Sequence, residues 1–459
     1  MSTGQEGAAT ERPYRRLSPL TPLVRSFIFV VAVVSTSWDD LLRGTLGPLT
    51  WVLLVLLVAG AVYGTASWVR TKYWIEADEL RVDTGVVSRQ SRRIRIDRLQ
   101  GVDIVQPLVA RMFGLAELKM DVAGGSDREG SLAFMRLGEA QALKDLLLAR
   151  RDEVRAAATG DGTSTPPAGA PAPPAAPPGV DRAPYPARDQ ELARVDMATL
   201  GLSILLSPET VSLLVAAAGF GLGFWATGHW AGLSVMVPVL GGLALVMFRR
   251  YAANYHFRVS ETPAGLQVRR GLFELSSQTI ALHRVQGIVV SEPWMWRPLG
   301  WARLEVSIAG YAHSGDAGDK PSASTVFPVG DRALVMRLAR HVLQGVDPER
   351  VPLARPPARA RWLAPVGWRF MGVGLGDAAA VGRSGWLNRR THVVPHARVQ
   401  SLRLAQGPLQ RRLGLADLHV DSPPGPVHLM GRHRAAAEAR GLLERERELS
   451  RDARARLVR

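Results

Sequence analysis

Residues 385–421, GWLNRRTHVVPHARVQSLRLAQGPLQRRLGLADLHVD, are the last of three copies of one pattern. The earlier copies are GVVSRQSRRIRIDRLQGVDIVQPLVARMFGLAELKMD from Gly85 and GLFELSSQTIALHRVQGIVVSEPWMWRPLGWARLEVS from Gly271. In each, a Gly is followed 15 residues later by Gln (Gln100, Gln286, Gln400) and 14 residues after that by a second Gly (Gly114, Gly300, Gly414), with no gap. Fixed spacing of this kind means one structural unit used three times.

The residues two and four beyond each Gln are apolar: Val102 and Ile104, Ile288 and Val290, Leu402 and Leu404. A period of two is a strand with one buried face. Each second Gly opens another such pattern, as in Leu115-Ala116-Glu117-Leu118 and Leu415-Ala416-Asp417-Leu418. Between the strands stands a Pro (Pro107, Pro293, Pro408), which together with Gly predicts a plain turn and hence a β-meander. Helical spacing follows each copy, over residues 138–156 (Leu143, Leu146, Leu147), 330–346 (Leu334, Leu338, Val342) and 431–457.

The copies, above all RTHVVPHARVQSLRLAQGPLQRRLGLADLHVD, resemble the bacterial pleckstrin-homology-like (PH-like) domain of YdbT-like membrane proteins, over residues 15–455. That resemblance implies a bacterial membrane protein with cytoplasmic PH-like domains and no established enzymatic activity. It also implies, as a partner, a smaller membrane protein bearing a single such domain. The expected fold class is two α-helical transmembrane hairpins plus three PH-like β-barrel or sandwich domains, each closed by a C-terminal helix.

The 459 residues carry a net charge of +16, almost all from Arg, since Lys72, Lys119, Lys144 and Lys320 are the lysines. There is no Cys, which excludes disulfides and thiolate metal sites. A mean hydropathy of +0.03 beside 21% charged residues says that very apolar and very polar segments alternate. Apolar runs at 22–38, interrupted by Arg25, and at 46–69 form a first expected hairpin; 208–227 and 230–248 form a second. The apolar decamer 197–206 reads either as surface-lying or as re-entrant. Basic residues flank both hairpins (Arg12, Arg15, Arg16, Arg70 and Lys72; Arg188, Arg194, Arg249 and Arg250), so both are expected to enter and leave from the cytoplasm. Trp38, Trp51, Trp68, Trp225 and Trp230 sit near the ends of the runs, as interfacial aromatics do.

The expected organisation is a basic N-terminus and hairpin over 1–71, repeats over 72–156, 251–345 and 362–459, a Pro/Ala-rich linker over 157–195, the second hairpin over 196–250 and a Pro/Arg connector over 346–361. The third repeat has no hairpin of its own.

No H-E-x-x-H, nucleophile-elbow Ser or phosphate-cradling Gly loop is present, so no enzyme, cofactor or metal is expected. His392 and His396 would share a strand face, but Pro395 lies between them and no third ligand follows. Two arginines do recur in every copy: Arg98, Arg284 and Arg398 before the Gln, and Arg111, Arg297 and Arg411 after it. Either each guanidinium ties loop carbonyls or a carboxylate within the fold, or the set forms a basic rim for phosphates. Arg389, Arg390, Arg403 and Arg412 add charge in the third copy. These residues are the candidate contacts for anionic lipid or a partner.

The leading expectation is an integral, non-catalytic scaffold at the inner face of a bacterial cell membrane, working as a homo-oligomer, with the smaller PH-like protein, or both. An anionic-lipid sensor is the alternative, followed by a transporter or channel component, against which stands the lack of charge inside the apolar runs apart from Arg25. Nucleic acid is not expected as a partner, because basic and aromatic residues are not interleaved on a recognisable platform.

Overall fold

A computed structural model describes residues 15–16, 47–76, 79–84, 90–122, 131–158, 190–227, 233–263, 265–309, 324–423 and 425–458. The chain divides into two compact units, Met1–Tyr185 and Pro186–Arg459. The apolar run at 22–38 and most of the Pro/Ala-rich linker fall outside the described residues.

In the first unit, β1 (Arg15–Arg16) pairs with β2 (Lys72–Glu76), although helix α1 (Pro48–Arg70) lies between them in sequence. Strands β3 (Glu79–Thr84) and β4 (Gln90–Arg95) complete an antiparallel sheet in the order β1-β2-β3-β4. A 3-10 turn, Ile96–Arg98, leads into β5 (Leu99–Pro107), then helix α2 (Leu108–Met112), β6 (Leu115–Val122), β7 (Ser131–Arg136) and helix α3 (Leu137–Ala158). Leu80, Ile94, Val102, Ile104, Leu118 and Leu132 of the strands bury against Ala140, Leu143 and Leu147 of α3. The helix therefore closes the core between two sheets, as expected for a PH-like unit.

The second unit contains the other two repeats. Strand β8 (Gln190–Arg194) is followed by helices α4 (Met197–Leu205), α5 (Pro208–Thr227) and α6 (Leu233–Ala253). Next come β9 (Arg258–Thr262), β10 (Gly265–Arg270), β11 (Glu274–Ile280), β12 (Val285–Pro293), β13 (Trp301–Ile308), β14 (Thr325–Asp331) and helix α7 (Arg332–Val342). Strand β8 pairs antiparallel with β9, so the helices are an insertion between two neighbouring strands of one sheet. Part of the stretch expected as linker is thus a strand of the second repeat. Leu200 packs in the core of the repeat, and Trp296 Nε1 donates to Ser203 O at 3.2 Å, so α4 is docked on the domain along one side.

The third repeat comprises β15 (Gly372–Leu375), β16 (Ala379–Ser384), β17 (Asn388–Pro395), a 3-10 turn His396–Arg398, β18 (Ser401–Ala405), helix α8 (Pro408–Arg412), β19 (Leu415–Asp421), β20 (Leu429–Ala435) and helix α9 (Ala436–Val458). Helical spacing from residue 431 overreached, because Gly431–Ala435 is the end of β20. The expected plain turn between strands is also a helical turn in each copy: α2, Arg297–Leu299 and α8.

The repeated glycines and Gln have structural causes. Gly271 and Gly385 hold φ of +115° and +91°, and a Cβ there would lie 1.9 Å from the carbonyl oxygen of Glu274 or Asn388. Gly114, Gly300 and Gly414 are left-handed at φ near +65°, +68° and +60°. Beside Gln100 and Gln286 the pairing slips by one residue, between Leu99 and Gly101 and between Val285 and Gly287, a bulge that starts the long strand.

Among the described residues no single helix is long and apolar enough to cross a membrane. The apolar length is divided at residues 206–207, where Ser207 Oγ accepts from Thr210 N at 3.3 Å and starts a new helix at Pro208. Met197–Leu205 and Pro208–Gly223 reach a spanning length only together, bent by 51°. The two transmembrane hairpins expected from sequence are therefore not established by helix length, although α5 and α6 pack on each other and α1 occupies the second apolar run.

Candidate interaction surface between repeats

The third and second repeats share one sheet, in the order β14-β13-β12-β17-β16-β15. Edge pairing of β12 with β17 joins them: Ile288 faces Val393, Val289 faces His392, Val290 faces Thr391 and Glu292 faces Arg389. All nine residues of β12 are buried. Val289 projects from the second repeat into the apolar core of the third, beside Val394, Leu418 and Val420. Gly287 permits the approach, since a Cβ there would stand 2.7 Å from Val393 O.

Glu292 organises the polar side of the joint. Its side chain is 7% exposed; one carboxylate oxygen accepts from Arg332 Nε at 2.9 Å and the other from Arg389 Nη1 at 3.0 Å. Arg332 also reaches Glu349 at 2.6 Å, and Arg340 bonds Glu349 and Asp347 at 3.3 and 3.0 Å. Burial opposes the charge on Arg332, but its bonds to Glu292 and Glu349 outweigh that and raise its pKa. Arg383 and Arg297 are lowered instead, by burial first and by the charge of Arg389 second. One buried carboxylate thus holds a group of crowded guanidiniums in place.

Sequence reading missed Glu292. The signal was available, because the other two copies carry Gln at that position. Gln106 Nε2 donates to Leu115 O at 3.3 Å and Gln406 Nε2 to Leu415 O at 2.7 Å, inside their own repeats. In the second repeat the Glu at this position reaches Arg389 of the third instead.

Several recurring arginines are ties of the same kind. Arg297 donates through Nε to Glu292 O at 3.2 Å and through Nη2 to Trp386 O and Leu387 O, gripping the Gly385 turn of the following repeat. Arg398 donates to His283 O at 2.7 Å, back across the joint, and Arg284 donates to Ala309 O within its own repeat. Arg403 lies 3.8 Å from Asp421. Arg98, Arg111, Arg390, Arg411 and Arg412 are exposed.

The two histidines do not share a strand face, because β17 ends at Pro395 and His396 begins the 3-10 turn. His392 Nδ1 accepts from His428 N at 3.2 Å, and burial, helped by Arg390, lowers its pKa to about 4. His396 bonds Glu446 at 2.8 Å and Gly376 O at 2.9 Å. Among the described residues no group of three or more His, Asp or Glu is placed to hold a metal.

Two sheets, a closing helix and three copies of one strand pattern are what known sequences also report. The family model described as Bacterial PH domain matches residues 26–151, 210–346 and 354–447. The chain belongs to this family. Its Bacterial PH domain segments cover well over half its length. A relative, the UPF0699 transmembrane protein YdbT of Bacillus subtilis (strain 168), is 25% identical over 327 residues, which is 65% of this chain. The chain spans about 60% of that curated relative's length. No solved structure matches the chain. The second and third Bacterial PH domain segments are the two that β12 and β17 join.

Proposed function

We propose that this protein is a non-catalytic scaffold, anchored in a bacterial cell membrane, that presents its PH-like repeats at the cytoplasmic face for contact with other proteins. The observation that carries the reading is the β12–β17 pairing with Glu292 at its end, which welds two repeats into one platform. Strand-edge addition is a general mode of protein recognition, and here the fold already uses it within one chain. Arg297 and Arg398 spend their guanidiniums on carbonyls of a neighbouring repeat, which favours protein contacts over headgroup contacts at those positions.

Anchorage rests on exposed apolar side chains along α1, α5 and α6, among them Val55, Val215, Leu222 and Phe248, on the basic residues flanking those helices, and on a relative named as a transmembrane protein. In this reading the helices of the second repeat form a hairpin inserted between two strands, so the anchor and the domain are one fold. Homo-oligomers and a smaller PH-like membrane protein are the proposed partners.

In-cell cross-linking of the tagged full-length chain, purification in mild detergent and mass spectrometry test this. One stoichiometric membrane protein cross-linked through the repeats supports the scaffold. Recovery of the chain alone with bound anionic lipid contradicts it and leaves lipid sensing.

A further inference from the structure

In the second repeat, α4 to α6 leave the sheet after β8 and return at β9. The third repeat keeps this junction in reduced form. Ala354 bridges Val373 of β15 through reciprocal backbone hydrogen bonds of 3.0 and 3.1 Å. Residues 355–371, RPPARARWLAPVGWRFM, therefore leave and return where the second repeat inserts its apolar helices.

This stretch is ordered by its own contacts. It forms 3-10 turns at Ala358–Trp362 and Gly367–Phe370, linked by Ala364 N to Ala360 O at 3.0 Å and Trp368 N to Ala364 O at 3.1 Å. Ala360 is fully buried, and Arg359 Nη2 donates to Gly414 O at 3.3 Å, so one side is fixed to the domain. The other side exposes 72% of Trp362 and 55% of Val366. Arg361 lies 5.5 Å from the Trp362 ring and Arg369 5.5 Å from the Trp368 ring. The segment has no acidic residue.

An indole and a valine held out in water between guanidiniums suit the headgroup layer, where an aromatic ring is half wetted and anionic phosphates meet arginine. We propose that residues 355–371 dock the third repeat on an anionic bilayer surface, with Trp362 and Val366 in the headgroup layer and Arg355, Arg361 and Arg369 on lipid phosphates. The inference rests on the membrane-anchored reading above. It replaces a third hairpin with a surface contact, so the repeat that lacks an apolar helical insertion is also held at the membrane.

The chain has no Cys, so Val366→Cys supplies a single thiol for an environment-sensitive fluorophore. The labelled full-length protein is reconstituted in phosphatidylcholine vesicles with or without phosphatidylglycerol, each carrying headgroup-region spin-labelled lipid. Leu409→Cys, exposed on α8 of the same repeat, is the reference. The expected result is severalfold stronger quenching at 366 than at 409 in the anionic vesicles, falling to the reference level when Arg361→Glu and Arg369→Glu are introduced. Equal quenching at the two sites, or quenching at 366 indifferent to both lipid charge and the arginine reversals, overturns the proposal. Release of the whole protein by alkaline carbonate would sink the anchored reading. Retained protein with a probe at 366 in water would sink this inference alone.

Discussion

The Nδ1 atom of His396 lies 2.8 Å from Oε1 of Glu446, and solvent reaches neither side chain. The other ring nitrogen faces Gly376 O at 2.9 Å, an acceptor, so Nε2 donates there and the Glu446 carboxylate beside Nδ1 favours the charged ring. Ser450 adds a hydroxyl donor to the same carboxylate oxygen at 3.1 Å. This buried pair ties α9 to the turn after β17.

Removing one partner leaves a buried charge alone, which costs about 3–5 kcal/mol. Glu446→Ala is therefore expected to release α9, read as fast hydrogen exchange across residues 436–458 with β12 and β13 still protected. Unchanged protection of α9 would show that the pair does not hold the helix.

The pair also sets a pH limit. Burial opposes the charge on His396, but bonding to Glu446 outweighs it and raises the pKa. Its contribution is full below the unfolded value of about 6.5 and is lost as pH rises through the raised folded value. Thermal unfolding followed at increasing pH should show the loss in the native chain and not in Glu446→Gln.

His392 sets the opposite limit. Its pKa falls from 6.5 to about 4, so the folded repeat holds it neutral, and that contribution is lost as pH falls from 6.5 toward 4. His392→Asn is expected to flatten the acid side of the stability profile. A profile as steep as in the native chain would assign the acid sensitivity elsewhere.

Glu292→Gln makes the second repeat resemble the other two copies at that position. It leaves Arg332 and Arg389 without their shared carboxylate, at a cost of about 1–3 kcal/mol, the lower part of the range being favoured by partial solvent access to both guanidiniums. Hydrogen exchange should rise in β12 and β17 first.

Strand β18 stands where β12 stands in the preceding repeat, yet it is largely exposed. Among the positions at which they differ, three change size or charge most: Gly287 against Ser401, Val289 against Arg403, Glu292 against Gln406. A charged, crowded edge blocks further pairing and ends the sheet. The triple change Ser401→Gly, Arg403→Val, Gln406→Glu is expected to open that edge, read as a higher mass than the native chain by light scattering in detergent. An unchanged mass would remove those residues as the stop.

The strand after each Gln and the strand after each second Gly were legible because burial on one face imposes a period of two and the left-handed turns at residues 114, 300 and 414 carry Gly. Strands β1 and β8 were not, since each is cut off from its sheet partner by inserted apolar sequence and carries too few residues for a period. Helix spacing from residue 431 read β20 as helix because Leu429, Gly431 and the residues of α9 run on without a break signal. The recurrence of Arg297 and Arg398 was visible, but their bonds to backbone carbonyls of another repeat carry no sequence mark. Glu292 was marked only by its difference from Gln106 and Gln406.

Continuity of the sheet from the second repeat to the third is the claim on which the platform depends. Cysteines placed at opposed positions of β12 and β17 test it in native membranes, against a chain that has no other thiol. Val290→Cys with Thr391→Cys and Val289→Cys with His392→Cys are adjacent opposed pairs, so one of them is a non-hydrogen-bonded pair with short Cβ separation. Mild oxidation is predicted to form a disulfide in at least one pair and none in Val290→Cys with Val393→Cys, which is out of register. Failure of both opposed pairs, or equal oxidation of the mismatched one, would contradict the joined sheet.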